Sequence, residues 1–245
     1  ILGLSQLLIE NRIKPILFLR KPGNPKVSGN LQLIKTLVDD QDIHWISRDE
    51  WKNVNVLISD FLIQSNSQEL KSIVIPEGGF FESALPGAMT LYLDILLNQV
   101  ENNLVFDHLF IDAGTGLQAI ALILAHSWLK SSSEIHVMLI ALKHEEFVES
   151  LNFLKKKFEN LFNEKIPKIS RYHLYTPKNA PSFGSVNRTL IDSIKFFAKT
   201  EGVFLDPIYS GKLILESSQI IKDKKLNGNI LMIHSGGVFS LERVR

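Results

Sequence analysis

The 245-residue chain contains no cysteine. Disulfides, thiolate nucleophiles and cysteine-ligated metals are therefore excluded, and the composition suits a reducing compartment. A surplus of charge is also missing: 27 Lys and Arg stand against 26 Asp and Glu, a formal net charge of +1. That balance gives no global field to hold nucleic acid, and no basic run with interleaved aromatics makes up for it. The lysine-rich stretch "LKKKFENLFNEK" at 154–165 mixes signs and reads as a solvated helix face. Long apolar runs are absent too; "ALILAHSWL" is too short to span a membrane. The chain opens "ILGLSQLLIENRIKP", without Met, a basic leader or a cleavage signal. Ile1, Leu4, Leu7 and Leu8 fall on one helical face. The expectation is a soluble, cytoplasmic protein whose sequence starts inside a helix, with its N-terminal part missing.

What is present is a core-forming composition, 45% hydrophobic and 22% charged, enough for one or two domains. Apolar runs of strand type alternate with helical patterns throughout. They are "KPILFL" at 14–19, "IHWIS" at 43–47, "SIVIPEGG" at 72–79, "HLFIDAG" at 108–114, "IHVMLIA" at 135–141, "RYHLY" at 171–175, "VFLD" at 203–206 and "NILMIHSGG" at 229–237. Alternation of this kind predicts an α/β protein with mostly parallel sheets covered on both faces, and continuous rather than alternating apolar runs fit strands buried on both sides. The irregular stretch "TPKNAPSFGSVN" at 176–187 reads as a functional loop or a mobile connection.

Four of these runs end in small or polar residues: "IPEGG" at 75–79, "DAGTG" at 112–116, "DPIYSG" at 206–211 and "HSGG" at 234–237. Ligands of open α/β sheets gather at the carboxyl ends of strands, so these turns are candidates for one floor. In "FIDAGTGLQAIALIL" at 110–124 a buried strand stops on glycines and restarts at once as a helix. Glycines let the backbone approach a ligand, and the first amides of the new helix point outward without intrahelical partners, which is a geometry that holds anions. A tight strand-to-helix connection with no ligand has the same appearance.

Taken in order, "SGNLQL" at 28–33, "IPEGG", "AGTGLQA" at 113–119, "TEGVFLDPIYSGK" at 200–212 and "IHSGG" at 233–237 resemble the 1-aminocyclopropane-1-carboxylate deaminase and D-cysteine desulfhydrase family of pyridoxal-phosphate enzymes. The resemblance implies fold type II: two open, mostly parallel twisted sheets covered by helices, tryptophan synthase β-like. Residues 1–72 would be the remnant of a smaller domain and 73–245 the larger, cofactor-binding one. It implies that Gly114, Thr115, Gly116, Leu117 and Gln118 hold the phosphate of pyridoxal 5'-phosphate, that Ser210 and Ser235 are hydroxyls for its ring nitrogen, and that Tyr209 is the catalytic phenol beside the substrate. Phe183 would line the substrate pocket where many members carry tyrosine. No metal is implied, and the partners would be a small amino-acid substrate and a second copy in a homodimer.

Departures from the pattern sharpen the reading. Ser210 stands where the deaminases carry a glutamate for the pyridine nitrogen and the desulfhydrases a threonine, which favours β-elimination to a 2-oxo acid and ammonia over ring opening. The family's Schiff-base lysine and its Ser-Asn-His turn precede the part that aligns with Ile1, and Lys26, Lys35 and Lys212 do not match the lysine's place. Phe80 and Phe81 replace small polar residues, and Leu117 replaces a glycine. Three alternatives stay open: a 1-aminocyclopropane-1-carboxylate deaminase, a catalytically degenerate homologue acting as a binding protein, and an adenosylmethionine-dependent methyltransferase, whose first motif "LFIDAGTG" also resembles. The methyltransferase reading leaves "DPIYSGK" and "HSGG" unexplained.

Overall fold

A computed structural model describes residues 1–21, 29–65 and 71–236. Lys26, Ser28 of the "SGNLQL" turn and Gly237 of "HSGG" lie outside the described residues. The chain divides into two compact units, one running Ile1–Val74 and the other beginning at Ile75. Among the described residues no helix is long and apolar enough to cross a membrane.

The first unit is built on a strand–helix–strand crossover. Strand β1 (Leu17–Arg20) and β2 (Ile43–Ile46) pair in parallel, Leu17 opposite Ile43, with α2 (Asn30–Leu37) between them in sequence. Ile34, Val38 and Ile43 are buried and pack with Leu2, Leu17, Leu19 and Trp45. Helix α1 (Leu2–Glu10) buries Ser5, whereas Ile1, Leu4 and Leu7 are exposed, so the apolar face read from the sequence is not the one this unit covers. Helix α3 (Val54–Gln64) follows β2.

The second unit carries a four-stranded parallel sheet in the order β5-β4-β3-β6: β3 (His108–Ala113), β4 (Glu134–Leu139), β5 (Tyr172–Tyr175) and β6 (Ile230–Met232). The period-2 alternation of strands sends Leu109, Ile111 and Ala113 to one face and Phe110 to the other. The first face is covered by α4 (Leu85–Glu101), α5 (Leu117–Trp128) and α6 (His144–Phe162), which join β3 and β4 in the main core. Helix α5 is apolar nearly all round and is correspondingly buried all round. Its one imidazole, His126, is buried with its ring nitrogens 2.8 Å from the Ser170 hydroxyl and 3.0 Å from the Ser133 hydroxyl. The opposite face packs Phe110, Met138 and Ile140 against Ile208 and Leu213, the latter from α8 (Ser210–Lys224). Helix α7 (Arg188–Glu201) adds Leu190 and Ile194 to a smaller cluster with Leu205.

Two of the eight strands expected from apolar runs do not form. Residues 72–76 are coil with Ile73, Val74 and Ile75 exposed, followed by a 3-10 turn at Glu77–Gly79 in which Gly78 and Gly79 have positive φ. Residues 203–206 leave α7 through Gly202 at φ 69° and run without strand pairing into the turn before α8. Short apolar runs lack the periodicity that identifies a strand, and both segments connect elements instead of joining a sheet.

The seam between α7 and α8 depends on one glycine. A Cβ on Gly211 would lie 2.6 Å from the Asp206 carbonyl oxygen and 2.8 Å from Ile194 Cδ1. Gly211→Ala should destabilise the protein by about 1–3 kcal/mol, as overpacking of a filled interior does. The denaturant midpoint measures it, and an unchanged midpoint would show that the seam has slack.

Candidate active site

Chain order and sheet order part company at β3: the chain leaves it through α5 toward β4 on one side, and returns through α8 to β6 on the other. This is the topological switch point, and the crevice outside the carboxyl ends of β3 and β6 is where such sheets bind ligands. The turns singled out in the sequence converge there.

Strand β3 ends with the Ile140 amide donating to the Ala113 carbonyl at 2.9 Å. Gly114, Thr115 and Gly116 then turn the chain into α5, with Gly116 as N-cap at φ 91°. Three close approaches leave no room for side chains around this turn. A Cβ on Gly114 would lie 3.2 Å from the Tyr209 hydroxyl oxygen. One on Gly116 would lie 3.0 Å from Leu142 Cδ1, and one on Gly78 would collide with the Thr115 side chain. "IPEGG" and "DPIYSG" are thereby pressed onto the glycine turn from separate parts of the sequence. Leu117 is buried in the core, and the Gln118 side chain donates to the Ala88 carbonyl at 2.9 Å, so both residues face the turn with their backbone amides. These amides have no carbonyl one turn earlier to bond.

Asp206 organises the turn that carries Tyr209. Its buried carboxylate accepts from the amides of Ile208, Tyr209 and Ser210 at 2.8–2.9 Å and from the Ser210 hydroxyl at 2.7 Å. Ser210 Oγ in turn accepts from the Asp206 amide at 2.9 Å, so this fully buried hydroxyl is committed to holding the start of α8. Tyr209 is half-buried, and burial with the nearby carboxylates of Asp112, Asp206 and Glu77 pushes its phenol above the usual value, keeping it protonated.

Ser235 lies just past β6, where the Ile233 amide donates to the Phe110 carbonyl at 2.9 Å. His234 fastens the same segment: Nδ1 accepts from the Gly236 amide, which assigns the proton to Nε2, donating to the Phe204 carbonyl at 2.9 Å. The Ser235 hydroxyl donates to Asp112 Oδ2 at 2.8 Å. Asp112, at the end of β3, was not singled out as a site residue in the sequence, although an acid inside the apolar run "LFIDA" was the available signal. Burial, reinforced by the charge of Asp206 and opposed by the Ser235 hydrogen bond, raises its carboxyl to about 6.

The irregular stretch at 176–187 is tied to α8 by two buried charged residues, Glu216, which sequence reasoning passed over, and Lys212, which it weighed only against the Schiff-base lysine. Glu216 Oε1 accepts from the amides of Lys178 and Asn179 at 3.0 and 2.7 Å, and Lys212 Nζ donates to the Ser182 carbonyl at 2.9 Å. Phe183 is thereby placed with its ring 6.1 Å from that of Tyr209, edge to face, while remaining 60% exposed. Of the described lysines weighed in the sequence, Lys212 is used as above, and Lys35, in the first unit, pairs with Asp40 at 2.8 Å.

The topology is that of fold type II of the pyridoxal-phosphate enzymes. No protein-family model matches the chain. Over 234 residues it is 24% identical to a Thermotoga maritima protein provisionally named 1-aminocyclopropane-1-carboxylate deaminase, covering 94% of this chain and 71% of that protein. It is 24% identical over 186 residues to D-cysteine desulfhydrase of Serratia proteamaculans, covering 75% of this chain but only 56% of the enzyme. A crystal structure of an ACC deaminase homologue superposes with a TM-score of 0.80 at 21% identity, over 98% of this chain and 72% of that one. The resemblance carried by the motifs is thus matched by named relatives and by the fold.

The raised Asp112 carboxyl has a signed consequence. Folded at about 6 against 3.8 as the unperturbed value, the native state holds a proton there that the unfolded state has lost, so stability declines as pH rises from near 4 through 6. Asp112→Asn should remove that decline, gaining on the parent between pH 4 and 7. Denaturant midpoints measured across this range check it; parallel profiles for the two proteins would contradict the assignment.

Proposed function

We propose that the second unit holds pyridoxal 5'-phosphate at the switch point, and that the protein eliminates a β-substituent from a small amino acid, giving a 2-oxo acid and ammonia in the manner of a D-cysteine desulfhydrase. The observation that carries this reading is the glycine turn at the start of α5, onto which Gly78 and Tyr209 pack so closely that a Cβ at Gly78, Gly114 or Gly116 would meet Thr115, Tyr209 or Leu142. Such a cradle fits a phosphate: the amides of Gly114, Thr115, Gly116, Leu117 and Gln118 and the Thr115 hydroxyl would donate to it, at the positive end of α5. When bound, the cofactor supplies the electron sink for bond breaking at the amino acid's α-carbon.

The chain's own residues supply the rest. Ser235, whose hydroxyl donates to Asp112, would hold the cofactor's ring nitrogen through its oxygen, with the Asp112 carboxyl behind it able to take up a proton. Ser210 supports this side indirectly, through Asp206 and the position of Tyr209. Tyr209 keeps its phenolic proton and delivers it to the departing β-substituent. Phe183, at the open side of Tyr209, covers the substrate and keeps water from it. The absence of a carboxylate at Ser210 favours elimination over ring opening, and a deaminase acting on 1-aminocyclopropane-1-carboxylate is the second reading, supported by the Thermotoga relative's name. The setting we propose is a cytoplasmic homodimer, with residues 1–72 belonging to a smaller domain and 73–245 to the larger, cofactor-binding one.

Release of 2-oxo acid from D-cysteine and from 1-aminocyclopropane-1-carboxylate, with pyridoxal phosphate added and in a protein that carries the Schiff-base lysine the resemblance implies, tests the proposal. D-cysteine should be the better substrate. Tyr209→Phe should lower turnover by about 10²–10⁴-fold, the usual contribution of a general acid, while cofactor absorbance stays unchanged. Turnover indifferent to Tyr209→Phe would remove its assigned role; cofactor binding without turnover of any β-substituted amino acid would favour a binding protein.

A further inference from the structure

The opposite edge of the same sheet, where β3, β4 and β5 begin, carries a cluster with no part in the chemistry above. Parallel register sets His108 opposite Glu134, Phe110 opposite His136, and His136 opposite His173, which places all of them on one face of the sheet. His108 Nδ1 lies 3.1 Å from His136 Nε2. The other nitrogen of His136, Nδ1, is 3.0 Å from the Tyr175 hydroxyl. The His136 ring, 1% exposed, stacks at 4.2 Å on Phe110 and at 5.0 Å on His173, so its direction is fixed by packing. Glu134 reaches the same place: one donor atom from each of His108, Glu134 and His136 lies within 4.8 Å of the others.

We propose that His108, His136 and Glu134 form a binding site for a divalent transition-metal ion of the zinc type, clamping β3 to β4 at the edge remote from the glycine turn. Two imidazole nitrogens facing each other at 3.1 Å must share a proton between their lone pairs. Zinc bonds to imidazole at about 2.0–2.1 Å with tetrahedral angles, which sets two ligand nitrogens about 3.3 Å apart, so the ion can replace that proton when the nitrogens part by a few tenths of an ångström and the half-buried His108 ring turns its lone pair to the metal. The Tyr175 hydroxyl accepts from His136 Nδ1–H in this arrangement. That is the outer hydrogen bond by which ligating imidazoles are usually oriented, and it leaves Nε2 as the ligand atom. Two imidazoles and a carboxylate suit zinc better than magnesium or calcium, which take oxygen ligands. The half-buried His108 and Glu134 leave the remaining position open to water.

Glu134 is not idle in the absence of metal. Its Oε1 pairs with Arg171 at 2.6 Å and its Oε2 lies 3.1 Å from His173 Nε2. A rotation of this side chain brings an oxygen to the ion, and Arg171, whose own side chain is 71% exposed, has to release it. Arg171 is therefore a competitor of the metal, which gives the proposal a signature that chance surface binding lacks.

The test is calorimetric titration of chelator-stripped protein with zinc chloride alone. One equivalent should bind and raise the thermal midpoint. His108→Ala and Glu134→Gln should each weaken binding at least tenfold, and Arg171→Ala should strengthen it several-fold; far-ultraviolet circular dichroism confirms that each variant is folded. Magnesium chloride should give no heat of binding. Failure to bind a stoichiometric equivalent would overturn the proposal. So would affinity indifferent to His108→Ala, which would place the ion on other histidines, or weaker binding by Arg171→Ala.

Discussion

The first amides of α5 have no carbonyl one turn earlier to bond, and this constraint organises the carboxyl end of the sheet. The chain does not cover them with a side chain. It places glycines at 78, 114 and 116 around them and packs the Tyr209 ring against Gly114, so that the backbone itself faces the turn. A buried helix end without a partner is costly, and an anion placed there satisfies the amides and the helix dipole together.

Holding Tyr209 against that turn requires buried polar groups, and each has its partners. Asp206 accepts four hydrogen bonds at the start of α8, Glu216 gathers the backbone of 178–179, and Lys212 reaches Ser182. Hydrogen bonds to charged groups contribute about 1.5–3 kcal/mol each, and removing one partner of a buried charge costs more than the bond itself. One helix therefore carries the phenol at its start and holds the loop bearing Phe183 through Lys212 in its first turn and Glu216 in its second.

The sequence made the α/β class legible because strand and helix periods alternate, and β3, β4 and β5 were found within a residue or two where apolar runs were flanked by turns. It misled at 72–79 and 203–206, where Ile73, Val74, Ile75, Val203 and Phe204 lie exposed in connections, since three apolar residues in a row carry no period to tell strand from coil. Motif order paired the glycine turn with Tyr209, and the structure packs the Tyr209 ring against Gly114. What could not be read was which hydroxyl is free. Ser210 and Ser235 look alike in sequence, yet Ser210 is enclosed by Asp206 four residues away, and Ser235 by Asp112, 123 residues away. Long-range pairs of this kind, like that of His108 with His136, follow from strand register and have no local signature.

The central claim is that the α5 amides are an anion site. A crystal structure of the protein with pyridoxal phosphate tests it most directly. The account predicts phosphate oxygens within hydrogen-bond distance of the amides of residues 114–118, with the Thr115 hydroxyl as a further donor. A cofactor phosphate bound elsewhere, with these amides facing water, would contradict it.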